Sequence, residues 1–218
     1  MGSLDFLMVF QFLILKIFLM ISRNLYPSRR GFTLIELLVV ISIIAILAGI
    51  GFTGATAAFK TVHNAEANTM MNNLKIAMSA YQSDYSRLPI PNDAGAEDYT
   101  LSEEEDWKEM VIMLQGNKDP FTLDRVEEPR FSNPREVNYI SFKKKDLTPE
   151  GALKDPTFGK AIGFYVMILD GDYDGIVRVQ PDSACKNIEE EIPVNSSVAI
   201  YSRAGGTEEK PEKALGSW

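Results

Sequence analysis

The sequence predicts an α+β fold: a long N-terminal α-helix, membrane-spanning in its first half, packed against a small antiparallel β-sheet. Three observations carry this. Phe32 to Phe52 form an apolar run broken only by Thr33, Glu36, Ser42 and small residues. At ~1.5 Å rise, its roughly 21 residues give about 31 Å of helix, enough to cross the hydrocarbon core of a bilayer. Beyond it, Phe59, Val62, Met70, Leu74, Ala77, Tyr81 and Leu88 recur at steps of three, four or their sums, one stripe at helical period. Further on, β-prone runs at 163–169, 176–179 and 197–202 alternate with turn-forming residues.

Residues 1–31 are set aside from the fold as a leader. Leu4 to Ile21 is itself apolar, interrupted by Asp5, Gln11 and Lys16, and read literally it adds a second span. A start at Met20 is the simpler account, because it leaves a short basic leader ending at Gly31. The basic residues Arg23, Arg29 and Arg30 place this end in the cytoplasm and the C-terminal part outside.

Glu36 is the one charge inside the apolar run. A carboxylate there costs roughly 2.5–3.5 kcal/mol on insertion scales, so it needs a shallow position or a partner. A plain signal anchor would let it snorkel to the interface. A second account comes from the whole string Arg29-Arg30-Gly31-Phe32-Thr33-Leu34-Ile35-Glu36 and its apolar helix. It resembles the class III signal of type IV pilins and of type II secretion pseudopilins. The resemblance implies that a prepilin peptidase, a membrane aspartic protease, cuts between Gly31 and Phe32. It implies that Phe32 is then N-methylated and that Glu36 pairs with the N-terminal amine of a neighbouring subunit. Such a pair neutralises two groups that are each costly when buried alone, and it fixes the register of adjacent helices. The partners implied are further copies of the chain in a helical filament, an inner-membrane assembly platform and minor pseudopilins.

The helix is expected to run from Thr33 to Arg87 and to stop before Pro89, because the residue preceding a proline is driven out of helical geometry. Residues 32–52 make its assembly half and 53–88 its amphipathic half. Gly49, Gly51 and Gly54 gather where the halves meet. They allow close helix packing, and in the family they allow the helix to loosen inside a filament. His63 reads as a solvated surface residue.

Residues 89–218 form the exported α+β domain. Ile90 to Thr100 reads as a loop. Ser102 and Glu105 have the spacing of a capping box; Trp107, Met110, Val111 and Leu114 follow as the apolar face of a short helix that Gly116 stops. Val137 to Phe142 alternates enough to read as a strand or an extended edge segment. Residues 163–169 and 176–179, joined by an Asp/Gly turn, read as a hairpin, with 197–202 as a third strand. Asp155-Pro156-Thr157-Phe158-Gly159 resembles a degraded Asp-Pro-Trp-Gly motif of pseudopilins, and Ser217-Trp218 resembles that family's ending.

Asp170, Asp172 and Asp174 with Gly175 match the opening of a calcium loop, since alternate carboxylates on a tight turn can converge on one Ca²⁺. Pro181 stands where an EF-hand needs its closing Glu, and aspartates favour turns without any metal. Both accounts stay open, and no other cofactor is implied. The aspartate-bearing calcium loop of major pseudopilins has no counterpart in Arg203 to Glu209.

Composition excludes some functions. The chain of 218 residues carries a net charge of −8; four basic residues against one acidic make residues 1–31 net +3, so the remainder carries −11. Such a surface repels phosphate backbones, and no nucleic-acid partner is expected. The single cysteine, Cys185, forms no intrachain disulfide, so packing or a metal must hold the C-terminal region. No nucleophile, base and orienting group occur together, which argues against an enzyme. The reading is a prepilin-type structural subunit of a type II secretion-like pseudopilus that drives proteins across the outer membrane. It would be anchored once in the bacterial inner membrane, with its domain periplasmic. The alternatives are a type IV pilus subunit or a membrane-anchored binding protein that never polymerises.

Overall fold

A computed structural model describes residues 33–91, 97–127, 129–159 and 161–217, with side chains 50–57 left aside. The chain divides into two compact units, the first ending at Phe52 and the second beginning at Thr53. Helix α1 (Leu34–Tyr85) contributes residues to each.

In the first unit α1 starts with a reciprocal cap. The Glu36 carboxylate accepts from the Thr33 amide at 2.8 Å and from its hydroxyl at 2.9 Å. Thr33 Oγ1 in turn accepts the Glu36 amide at 3.3 Å. Two of the amides that a helix start leaves open are thus satisfied. Apolar side chains lie exposed along this stretch, with Leu34 at 82%, Ile44 at 59% and Leu47 at 63%. A helix apolar all round is built to be covered by lipid or by other helices. Among the described residues no helix is long and apolar enough to cross a membrane. The spanning role expected of 32–52 therefore rests on the sequence.

In the second unit α1 buries Ala67, Met71, Leu74, Ala77, Met78 and Tyr81. The expected stripe begins too early, since Phe59 and Val62 are exposed. Periodicity marks a helix face but not the length of it that something covers. The helix ends slightly before the expected Arg87. Ser86, at φ 55°, takes the left-handed turn while its amide bonds the Gln82 carbonyl.

The main sheet joins four antiparallel strands in the order β1 (Tyr99–Leu101), β2 (Val166–Leu169), β5 (Val198–Ser202) and β6 (Leu215–Gly216). A two-stranded sheet pairs β3 (Val177–Val179) with β4 (Ile192–Val194). Both faces of the central strands β2 and β5 are buried. Met167, Leu169, Val198 and Ile200 join the core with α1 and with α2 (Glu104–Leu114). Val166, Ile168, Ala199 and Tyr201 join a second core with Val177, Val179 and Val194 of the small sheet. That is why β2 and the first four residues of β5, 198–201, are continuous apolar runs instead of alternating ones.

Four local expectations are corrected. Residues 163–169 and 176–179 make no hairpin: β2 pairs with β1 and β5, and β3 with β4. The connection is too long for a two-residue hairpin turn and curls on itself, with Asp170 Oδ2 accepting the Gly175 amide at 2.9 Å. β1 lies at the end of the segment read as loop. Ser102 does not cap α2, whose cap residue is Glu103 with no side-chain cap bond. Among the described residues, 137–142 pair with another segment only at an isolated bridge between Asn138 and Gln115. Asn133 holds that stretch instead, its amide donating to the carbonyls of Met113 at 2.7 Å and Val137 at 2.9 Å. The rest of α2 follows the pattern: Trp107, Met110, Val111 and Leu114 are buried, and Gly116 follows the helix at φ 77°.

Candidate functional site

The sequence points to two places, one at the start of α1 and one on the loop after β2. At the first, Gly31 and Phe32 lie outside the described residues, and so do Arg29 and Arg30. Glu36 is described, and its carboxylate binds Thr33 as given above. The Thr-x-x-Glu spacing at 33–36 is itself a capping signature.

At the second place the structure brings Asp98, Asp170 and Asp172 together, each offering one oxygen within 4.8 Å of the others. Asp174, the third member expected, is elsewhere: its carboxylate pairs with Arg178 Nη2 at 2.6 Å. The register explains the exchange. Tyr99 sits opposite Leu169, so the residues flanking them, Asp98 and Asp170, meet at the end of the ladder. Gly171 allows the approach, because a methyl group there would overlap the Glu97 carbonyl. Asp98 Oδ2 accepts the Arg178 amide at 2.8 Å, and Asp170 Oδ2 accepts that of Gly175. Asp98 Oδ1 and Asp170 Oδ1 are buried and accept nothing among the described residues. Burial pushes the Asp170 carboxyl above its ordinary range; the Gly175 amide opposes this and neighbouring Asp172 adds to it. No sequence signal singled out Asp98, which is remote in the chain from its partners.

The C-terminal region is held by packing and hydrogen bonds. Asp182 Oδ2 accepts Tyr201 Oη at 2.9 Å and Arg203 Nε at 2.7 Å, while Oδ1 accepts the Ala184 amide at 3.0 Å. Cys185 is buried beside it, and burial pushes its thiol up to about 11, which leaves it inert at neutral pH. Ser217 donates its amide to the Ile200 carbonyl at 2.9 Å, and its own carbonyl accepts Lys75 Nζ at 2.6 Å. Asp155 caps the 3₁₀ turn Pro156–Phe158, its Oδ1 accepting the Thr157 amide at 2.9 Å, and Gly159 closes it at φ 63°. Asp, Pro and Gly at that spacing thus make a structural turn. His63 is half-buried on α1.

Residues 26–52 match the family described as a prokaryotic N-terminal methylation motif. A motif of this kind is found on prepilin-like subunits of type IV pilin and pseudopilin assemblies. No curated protein and no solved structure matches the chain.

Proposed function

We propose that this chain is a structural subunit that polymerises through its apolar N-terminal helix into a type II secretion-like pseudopilus. The methylation motif at 26–52, running directly into a helix with exposed apolar side chains on every side, carries the reading. Residues 32–52 span the inner membrane before assembly, with the basic leader cytoplasmic and the domain from 89 onward periplasmic. A prepilin peptidase cuts between Gly31 and Phe32 and methylates Phe32. Glu36 then pairs with the Phe32 amine of an adjoining subunit, and an inner-membrane platform with minor pseudopilins drives growth. The resemblance of Asp155-Pro156-Thr157-Phe158-Gly159 and of Ser217-Trp218 to pseudopilin motifs favours a pseudopilus over a long surface pilus.

One observation favours the non-polymerising anchor as a second reading. Glu36 already has partners within its own helix start, so a lone chain does have a use for the carboxylate. Processing is tested first, by N-terminal mass analysis of membrane-extracted protein. The mature chain should begin at N-methyl-Phe32, and Gly31→Val should stay uncut, because glycine lets the backbone lie extended where a β-branched side chain would clash. A mature start elsewhere removes the prepilin assignment.

A further inference from the structure

The geometry points to a divalent cation site, best suited to Ca²⁺, formed by Asp98, Asp170 and Asp172 where β1 meets the loop after β2. Three carboxylates bring oxygens within 4.8 Å of one another. Two Ca–O bonds of roughly 2.4 Å placed opposite each other span that same distance. All the donors are oxygen, which selects hard cations over zinc or copper.

The second observation is independent of the clustering. Asp170 is only 2% exposed, yet its Oδ1 has no donor among the described residues, and the buried Asp98 Oδ1 is in the same position. Each carboxylate is held through its other oxygen by a backbone amide, Asp98 by Arg178 and Asp170 by Gly175. One oxygen of each is thus oriented while the other is left over, the arrangement that outer-shell hydrogen bonds give to metal ligands. Buried carboxylate oxygens without a donor, beside a third carboxylate, are costly unless a cation answers them. Asp172 lies at the solvent side, where water would complete the coordination. Arg178 does not fill the place: its guanidinium pairs with Asp174 at 2.6 Å and stands 3.9 Å from Asp172. The ion would join β1 to the β2–β3 connection, two segments that share no short-range link in the chain.

The test is thermal unfolding of the full-length chain in detergent with CaCl₂ or with EGTA, paired with isothermal titration of CaCl₂. At about a hundredfold excess over Kd, Ca²⁺ should raise the melting temperature by about 5–10 °C. Asp98→Asn and Asp170→Asn should each weaken binding by about tenfold or more. In EGTA these variants should melt at or above the wild type, since each removes a like charge, and this shows that they fold. Asp174→Asn should keep the calcium response, because its carboxylate lies on Arg178. Equal wild-type curves in Ca²⁺ and EGTA overturn the site. So does a response that survives Asp98→Asn but is lost in Asp174→Asn. Either failure leaves the processing test above untouched.

Discussion

Asp182 shows how one residue ties the C-terminal region together through three donors. Its side chain is almost fully enclosed, and burial alone would raise its pKa. The donors Arg203, Tyr201 and the Ala184 amide outweigh that and hold it below the ordinary carboxylate range. A depressed folded pKa means the stabilisation is present above the unfolded value of roughly 3.9 and is lost as pH falls through the folded value. Melting temperature should therefore be flat through the neutral range as far as this group is concerned, and fall only below about pH 4. Asp182→Asn should lower neutral stability by about 1–3 kcal/mol, toward the lower figure because Arg203 is about one-third exposed. It should also flatten the acid limb. Circular-dichroism melts across pH check both. A variant that melts like the wild type at pH 7 would mean that the second core holds this region unaided.

At the scale of elements, helix ends supply a paired prediction. Ser102→Ala should change stability by less than about 0.5 kcal/mol, where a working cap would cost roughly 0.5–2. Gly116→Ala should cost more than about 1 kcal/mol, because φ is 77° and the new methyl group would overlap the Glu136 carbonyl. Denaturant melts of the two variants decide it, and equal effects would refute this account of α2. The same contrast explains what could be read from the chain. The helices α1 and α2 were legible, because a long apolar run and an i, i+3, i+4 stripe are local signals. Strands β2 and β5 were legible as apolar runs, but their partners were not. β1 has three residues and β4 contains a proline, so neither stands out, and register depends on segments far apart in sequence. Asp98 was missed for that reason: only the pairing of Tyr99 with Leu169 carries it to Asp170. Asp170 and Asp172 were legible from their spacing, but Asp174 was assigned to the same group because sequence cannot show that Arg178 claims it.

For the whole molecule, the question is whether Glu36 serves the chain that carries it or the next chain in a filament. Both roles use the same carboxylate, so Glu36→Leu alone cannot separate them: it removes the cap and the charge together. Glu36→Gln can. A glutamine at this helix position still accepts from the Thr33 amide, as in other capping boxes, and a cap is worth only about 0.5–2 kcal/mol. It carries no charge, however, so an incoming Phe32 ammonium would be buried without a counter-ion, at a cost of several kcal/mol. Glu36→Asp keeps the charge one methylene short and should be intermediate. All three variants should still insert and be cut after Gly31, since the leader and the glycine are unchanged. Cross-linking of membranes under overexpression, with electron microscopy of sheared filaments, reads the outcome. If subunits polymerise through this pair, Glu36→Gln should be as defective as Glu36→Leu, although both arrive in the membrane processed. If Glu36→Gln instead assembles like the wild type while Glu36→Leu does not, the carboxylate is a helix cap and intersubunit pairing is refuted. If neither variant loses multimers, the apolar helix packs without Glu36, and the filament reading loses the charge pair on which it depends.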